Sequence, residues 1–292
     1  MICILCPRQC GATRTENTAG GFCNQPALPV VARAALHFGE EPCISGTRGS
    51  GTVFFSGCNL RCCFCQNEII SHGGAGRPVT AARLREIFSE LEALGAHNIN
   101  LVTGTHFIPA IAEALEHSPS VPVVWNSSGY ESVDALRLLE GKVQIYLPDF
   151  KYADPALAQR LSGAADYPDR AAEALSEMLR QTGPCVLTED GLLRRGVLVR
   201  HLLLPGKLEN TKAVIDRVRE ICPPEDILFS LMSQYVPLGR ALTMPDMARR
   251  IRKSEYRAAA AYLEACGFTN GYLQEPDAAT TEMIPAFDLT GV

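Results

Sequence analysis

The 292-residue chain lacks the long apolar runs of a membrane protein. No stretch approaches the roughly 18 consecutive apolar residues of a membrane span, and no apolar signal segment stands near the start. Positive charge is also scarce, with 27 Lys and Arg against 32 Asp and Glu, which gives a formal net charge of −5. Nucleic-acid binding depends on a basic surface, so this balance argues against it. We therefore expect no membrane partner and no nucleic-acid partner.

Cysteine, by contrast, is plentiful, with twelve in the chain. Disulfides are typical of secreted proteins, whereas grouped thiols without a secretion signal are typical of metal ligands in a reducing compartment. We expect a cytoplasmic protein that binds metal through cysteine.

One group of cysteines follows a predicted buried strand at 53–55. Cys58, Cys62 and Cys65 have the spacing C-x3-C-x2-C. Thiolates are the ligands of iron–sulfur clusters, and a four-iron cubane binds four of them. Three thiolates would leave one iron open to a small molecule, as catalytic metal sites keep one position free. The alternatives are a zinc site completed by Cys63 or Cys43, or three buried thiols without a role. We predict that both Cys63 and Cys43 are packing residues.

This loop, with the aromatic Phe64 directly before Cys65, resembles the cluster loop of the radical S-adenosylmethionine (radical SAM) superfamily. The resemblance implies a [4Fe-4S] cluster whose open iron binds S-adenosylmethionine (SAM). One electron from the cluster then cleaves SAM to a 5'-deoxyadenosyl radical, which abstracts hydrogen from a substrate. It also implies a reducing protein partner such as flavodoxin or ferredoxin.

A second group, Cys3, Cys6, Cys10 and Cys23, has the spacing C-x2-C-x3-C-x12-C, interrupted by turn-forming residues. Four cysteines in this pattern predict a second metal-binding knuckle, for which zinc and a second iron–sulfur cluster both fit. The alternative is a set of free thiols near a mobile terminus. We divide the chain into a cysteine-rich N-terminal extension, residues 1–45, and a core, residues 46–292.

Along the core, apolar runs typical of strands alternate with segments of helical periodicity. The predicted strands are 53–55, 99–103, 121–125, 143–147, 198–204, 227–232 and 271–274, with a hairpin about 189–191. Thr80 and Asp154 are predicted to cap helices, and a long helix is predicted from about Met247 to Cys266. The basic residues 249, 250, 252 and 253 would lie on one solvated face of that helix. The alternation predicts an α/β fold with a parallel sheet, a partial (β/α)6 TIM-like barrel, which the resemblance also implies.

Polar residues follow most of the predicted strands, and in parallel barrels the chemistry gathers at the carboxyl ends of strands. Alternation along a strand lets only one of Arg200 and His201 face the barrel interior, and we predict Arg200. The other candidates at strand ends are Thr103, Gly104, His106, Asn126, Ser127, Asp149, Lys151, Gln234 and Tyr235.

From about residue 46 the chain resembles the activating enzymes of pyruvate formate-lyase, and most of all a branch with an N-terminal C-x2-C-P-R-x-C segment. The resemblance implies roles beside SAM for Thr103 and Gly104 at its amino group, for Asn126 and Ser127 at a monovalent cation, and for Arg200 at its carboxylate and ribose. It makes Asp149 and Lys151, which match a family Asp-x-Lys, the catalytic pair near SAM and substrate. The family's glutamate after the second strand is absent here, and Asn126 is neutral where the family has a carboxylate.

The substrate implied is a glycine of a partner glycyl-radical enzyme. A radical SAM enzyme for a small molecule or another peptide is the alternative, because the extra cysteines precede the cluster loop instead of following it. A non-catalytic zinc-binding scaffold and a cysteine-nucleophile enzyme using His106 or His201 are further alternatives.

Overall fold

A sheet of mostly parallel strands forms the centre of the computed structural model, which describes residues 2–274 and 284–292. The strands are β1 (Val30–His37), β2 (Ser50–Phe55), β3 (Arg77–Pro78), β4 (Ile99–Val102), β5 (Val123–Ser127), β6 (Ile145–Pro148), β7 (Val186–Leu187), β8 (Leu193–Leu202), β9 (Leu228–Met232) and β10 (Gly271–Leu273). Seven of them, β2, β4, β5, β6, β8, β9 and β10, pair in parallel and in chain order. Among the described strands, β10 and β3 stand at the two edges, so the barrel is partial and open. The predicted α/β fold is confirmed.

The helices are α1 (Pro42–Ser45), α2 (Glu68–Ser71), α3 (Ala81–Ala93), α4 (Ile108–Ala114), α5 (Val133–Arg137), α6 (Pro155–Ser162), α7 (Tyr167–Thr182), α8 (Leu208–Ile221) and α9 (Lys253–Ala265). Their start points follow from local chemistry. The Thr80 hydroxyl accepts a hydrogen bond from the Arg83 N–H at 3.1 Å, and the Asp154 carboxylate accepts one from the Ala156 N–H at 2.8 Å. Such caps satisfy N–H groups that the first turn leaves unpaired. Within residues 2–274 and 284–292, every helix is too short or too polar to span a bilayer.

The last helix differs from its prediction. It begins at Lys253 instead of Met247, because the Glu255 carboxylate accepts a hydrogen bond from the Arg252 N–H at 2.8 Å and so caps the helix at that residue. Glu255 also pairs with Arg249, at 2.7 Å, ahead of the helix. The basic residues 249, 250 and 252 therefore precede α9 and do not share one of its faces.

The hairpin predicted about 189–191 is confirmed. The short β7 pairs antiparallel with β8, and the Thr188 N–H donates to the Leu192 carbonyl across the turn at 2.8 Å.

The strand β1 was not predicted. Six of its eight residues pair antiparallel with β2, from Val31 opposite Phe55 to His37 opposite Ser50. They extend the sheet beside the strand that leads into the cysteine loop. The boundary between extension and core at residue 45 stays a prediction, and β1 lies on its N-terminal side. The extension is thus hydrogen-bonded to the core sheet.

Candidate active site

The cysteine loop lies at the carboxyl end of β2. Cys58, Cys62 and Cys65 all line one cavity of about 200 Å³ at the carboxyl ends of the parallel strands. Each sulfur accepts hydrogen bonds: Cys58 from the N–H groups of Leu60 (3.3 Å) and Arg61 (3.4 Å), Cys62 from the Ser162 hydroxyl (3.1 Å), and Cys65 from the Ser71 hydroxyl (3.3 Å). Donors in these places stabilise thiolate charge and orient the sulfurs toward a bound metal.

Burial, followed by the nearby Cys62 thiol, raises the pKa of Cys58 and raises the pKa of Cys65 to about 12. Both side chains are therefore neutral thiols unless a metal displaces the proton. Among the described residues, no three His, Cys, Asp or Glu side chains converge as ligands of one ion. In a four-iron cubane each of these thiolates would bind a different iron, which would leave the fourth iron open.

Cys63 has a different environment from the three cysteines around it. Its sulfur lies 3.8 Å from the Met244 sulfur, and it does not line the cavity. Cys43 is likewise buried in an apolar group with Ile44, Val124 and Leu193. Both cysteines pack, as predicted.

The backbone of the loop is tight where the N-terminal segment meets it. Gly57 has a φ of +79°, and a Cβ there would lie 2.3 Å from the Gln25 Cγ and 2.9 Å from the Cys23 carbonyl oxygen. Arg61, with a φ of +52°, donates to the carbonyl of Phe22 at 3.3 Å. The extension therefore packs directly on the loop.

We expect Gly57→Ala to destabilise the protein by about 1 to 3 kcal/mol more than Gly95→Ala does, since only the first adds overpacking to the left-handed backbone. Gly95 is a matched control, with a φ of +88° and nothing within 4 Å of the added Cβ. Thermal unfolding and iron content of the two variants check this. Equal unfolding temperatures would show that a methyl group at Gly57 is accommodated without overpacking.

A chain of charged side chains crosses the cavity opposite the loop. The Asp149 carboxylate pairs with the Lys151 ammonium at 2.6 Å and with the Arg200 Nε at 3.0 Å, and Arg200 donates to the Asn126 side-chain oxygen at 2.6 Å. All four side chains line the cavity. Burial raises the pKa of Asp149, but Lys151 and Arg200 outweigh this effect and hold it below its ordinary value. Asp149 is therefore ionised between two cations.

The chain of charges ends on Glu40, a residue that sequence reasoning missed. Its carboxylate pairs with Arg200 at 2.9 Å and accepts hydrogen bonds from Asn126 at 3.0 Å and Asn100 at 3.2 Å. Glu40 comes from the segment between β1 and α1, 160 residues before Arg200. No local pattern links residues that far apart, so the pairing follows from the fold alone.

Three other candidates lie at the ends of β4 and β5. Thr103 lines the cavity with a φ of +61°, while Gly104 packs on Trp125, whose ring would lie 2.9 Å from an added Cβ. Ser127 lines the cavity and donates to Glu131 at 2.8 Å. Glu131, also missed from sequence, is fully buried and accepts further bonds from Thr105 and Trp125. It fixes the turn that carries Asn126 and Ser127.

Neither histidine candidate reaches the cavity. His106 is buried and bonds the Ser56 carbonyl at 2.7 Å, and burial lowers its pKa to about 3. His201 bonds the Phe150 carbonyl at 2.7 Å and the Thr211 hydroxyl at 2.9 Å on the other side of β8 from Arg200, and burial lowers its pKa to about 4. Neither histidine lines the cavity that contains the three cysteines, so the described residues give no support to the cysteine–histidine nucleophile alternative. Gln234 and Tyr235 do line the cavity, and the Tyr235 ring lies 5.9 Å from the ring of Phe64 in the cysteine loop.

A partial parallel barrel with three cysteines after β2, lining a charged cavity at the strand ends, is the arrangement of an enzyme whose site lies at the carboxyl ends of its strands. This chain belongs to the radical SAM superfamily, whose model matches residues 52–222. Membership implies a [4Fe-4S] cluster and SAM as cofactors, so the superfamily prediction is confirmed. The narrower resemblance to activating enzymes stays a prediction.

The chain is 29% identical over 267 residues to the uncharacterized protein MJ0674 of Methanocaldococcus jannaschii, covering 88% of this chain and 72% of that protein. Two solved structures share the fold. Methylornithine synthase (PylB) has 13% identity and a TM-score of 0.53, with 82% of this chain and 70% of that chain covered. Streptococcus suis SuiB bound to the precursor peptide SuiA has 13% identity and a TM-score of 0.50, with 75% and 47% covered. The chain thus spans about half the length of SuiB.

Proposed function

We propose that this enzyme reductively cleaves SAM and abstracts hydrogen from a substrate, with Cys58, Cys62 and Cys65 as the cluster ligands. One observation carries the proposal: the three cysteines and the charged side chains Asp149, Lys151 and Arg200 line the same cavity. When bound, the cluster supplies the electron that cleaves the sulfonium of SAM. The enzyme would work in a reducing cytoplasm with flavodoxin or ferredoxin as electron donor.

Arg200 is suited to bind the carboxylate of SAM. A guanidinium carries five N–H donors, and the contacts to Asp149, Glu40 and Asn126 use three of them, one on each nitrogen. One N–H therefore remains on each terminal nitrogen. Two such donors match the two oxygens of a carboxylate, and the three acceptors fix the direction in which they point. Thr103, Gly104, Asn126 and Ser127 would complete the cofactor site.

Asp149 and Lys151 are proposed as the catalytic pair. Lys151 uses one donor on Asp149 and keeps two, so it can neutralise negative charge on the cofactor or substrate. Burial lowers the pKa of Lys151, but the Asp149 carboxylate outweighs this and holds it above its ordinary value. The ammonium is therefore charged wherever the enzyme works.

The substrate proposed is a glycine of a partner glycyl-radical enzyme, supported by the Asp149-Phe150-Lys151 match. A small molecule or another peptide is the second candidate. It is favoured by the position of the extra cysteines, which precede the cluster loop and lie in the segment that packs on it.

The test is anaerobic incubation with SAM and a strong reductant, with 5'-deoxyadenosine measured as product. Deuterium transferred from a labelled substrate into 5'-deoxyadenosine would identify the hydrogen donor, and a glycyl-radical signal in a partner protein would distinguish the first substrate class from the second. Unchanged turnover in air would contradict the mechanism, since a cluster with an open iron reacts with oxygen.

We expect Lys151→Met to lower the rate of SAM cleavage about 10- to 100-fold with the iron content unchanged. Asp149 keeps Arg200 as a partner in this variant, so the fold retains its main ion pair. Lys253→Met, on the exposed start of α9, is the control that removes the same charge far from the cavity. A Lys151→Met enzyme as fast as the control would remove Lys151 from the catalytic pair.

A further inference from the structure

Residues 2–25 fold into a small knuckle that gathers four cysteines. The Cys3 N–H donates to the Ala12 carbonyl at 2.9 Å, and the Gly11 N–H donates back to the Cys3 carbonyl at 3.2 Å. These two bonds bring Cys3 beside the residues that follow Cys10. A second pairing, between Gly20 and Gln25, closes the turn that carries Cys23.

The side chains join these two turns. A Cβ on Gly21 would lie 2.7 Å from the Cys10 sulfur, so Cys10 stands directly against the turn of Cys23. Arg14 donates to the Cys3 sulfur at 3.5 Å and to the Gln25 carbonyl at 2.9 Å, and so ties the first cysteine to the second turn. Cys3, Cys6 and Cys23 are buried and Cys10 is exposed.

The fourth cysteine joins the same group. The Cys6 side chain lies within electrostatic range of Cys3 and Cys23, and the Cys23 side chain lies within range of Cys3 and Cys10.

We propose that Cys3, Cys6, Cys10 and Cys23 bind a second iron–sulfur cluster. Four cysteines can ligate every iron of a cubane, so this cluster would have no position open to SAM. Zinc bound by the same four thiolates is the alternative, and the metal counts described below distinguish the two.

The knuckle also contacts the cysteine loop that follows β2. Arg8, between Cys6 and Cys10, lies 3.9 Å over the Phe22 ring and donates to the carbonyls of Asn59 at 2.9 Å and Ser162 at 2.8 Å. Asn59 belongs to the catalytic loop, and the Ser162 hydroxyl bonds the Cys62 sulfur. A cluster bound in the knuckle would fix the position of Arg8. Through Arg8 it would also fix Asn59, in the cysteine loop, and Ser162, which donates to the Cys62 sulfur.

Iron, sulfide and zinc counts on the anaerobically purified full chain test the proposal. We expect about eight irons per chain in the wild type and about four in the Cys58→Ala, Cys62→Ala, Cys65→Ala triple variant, with a reduced-state EPR signal that SAM does not shift. Cys10→Ser in the wild type should lower the count toward four. Cys10 is exposed, so its replacement opens no cavity in the fold.

Cys185→Ser is the matched control, because the serine hydroxyl can keep the bond that this partly exposed thiol makes to the Val197 carbonyl. It should leave the iron count unchanged. A triple variant without iron, zinc in the knuckle, or an iron count insensitive to Cys10→Ser would each overturn the second cluster. The SAM-cleavage proposal stands or falls separately, on the iron that the triple variant loses.

Discussion

Replacing Cys65 with alanine is expected to lower SAM cleavage by about 10³-fold or more, because the cofactor carries the chemistry and the loop has no spare ligand directed into the cavity. Cys63, two residues away, is expected to tolerate the same change with near-normal activity. Its sulfur packs on Met244 outside the cavity, so Cys63→Ala removes a packing contact worth about 1 kcal/mol.

The measurement is 5'-deoxyadenosine formed under anaerobic, reduced conditions, read together with iron content and the shift of the cluster EPR signal when SAM is added. Because both variants remove one thiol from the same loop, they share any general effect on loop folding. An active Cys65→Ala enzyme, or a Cys63→Ala enzyme that loses its SAM-sensitive signal, would mean that the ligand set has been assigned wrongly.

The second large effect is expected at Arg200. Arg200→Met removes the cation from two largely buried carboxylates, Glu40 and Asp149, whose side chains are 9% and 16% exposed. Breaking a buried ion pair by removing one partner costs about 3 to 5 kcal/mol, since the charges left behind are desolvated and unpaired. The variant should therefore lose both stability and SAM affinity. Asp149 still pairs with Lys151 in this variant, so the loss of Arg200 destabilises the Glu40 carboxylate more than the Asp149 carboxylate.

Denaturant unfolding of cluster-free protein measures this cost, and Arg83→Met is its control. Arg83 pairs with Glu90 at 2.6 Å on the surface of α3, where an ion pair contributes at most about 1 kcal/mol. Adding Glu40→Gln to Arg200→Met should recover part of the stability, because the stranded charge is removed. If Arg200→Met costs no more than Arg83→Met, the buried network contributes little to the fold.

The parts of this enzyme that were predictable from sequence are those set by nearby residues. The caps of Thr80 and Asp154 join a side chain to an N–H two or three residues on, and the loop cysteines lie within eight positions. The order of the parallel strands followed from their alternation with helices. Orientation of Arg200 toward the cavity followed from the two-residue period of a strand.

The features that were not predicted from sequence depend on contacts between residues far apart in the chain. Glu40 stands beside Glu41 in an ordinary acidic pair, and its role arises only when β1, which ends opposite Ser50 at the start of β2, places it within reach of Arg200. Glu131 is a carboxylate buried by donors from Thr105, Trp125 and Ser127, and nothing in its neighbours along the chain marks it as buried. The start of α9 was misplaced for a related reason, since Glu255 also receives the Gly206 N–H from another loop.

The pairing of Glu40 with Arg200 sets an order of events during synthesis. Glu40 leaves the ribosome 160 residues ahead of its partner, so this ion pair cannot form until residue 200 has emerged. Cys58, Cys62 and Cys65 are also synthesised well before Arg200, so the cysteines of the loop precede the residue that completes the charged side of their cavity.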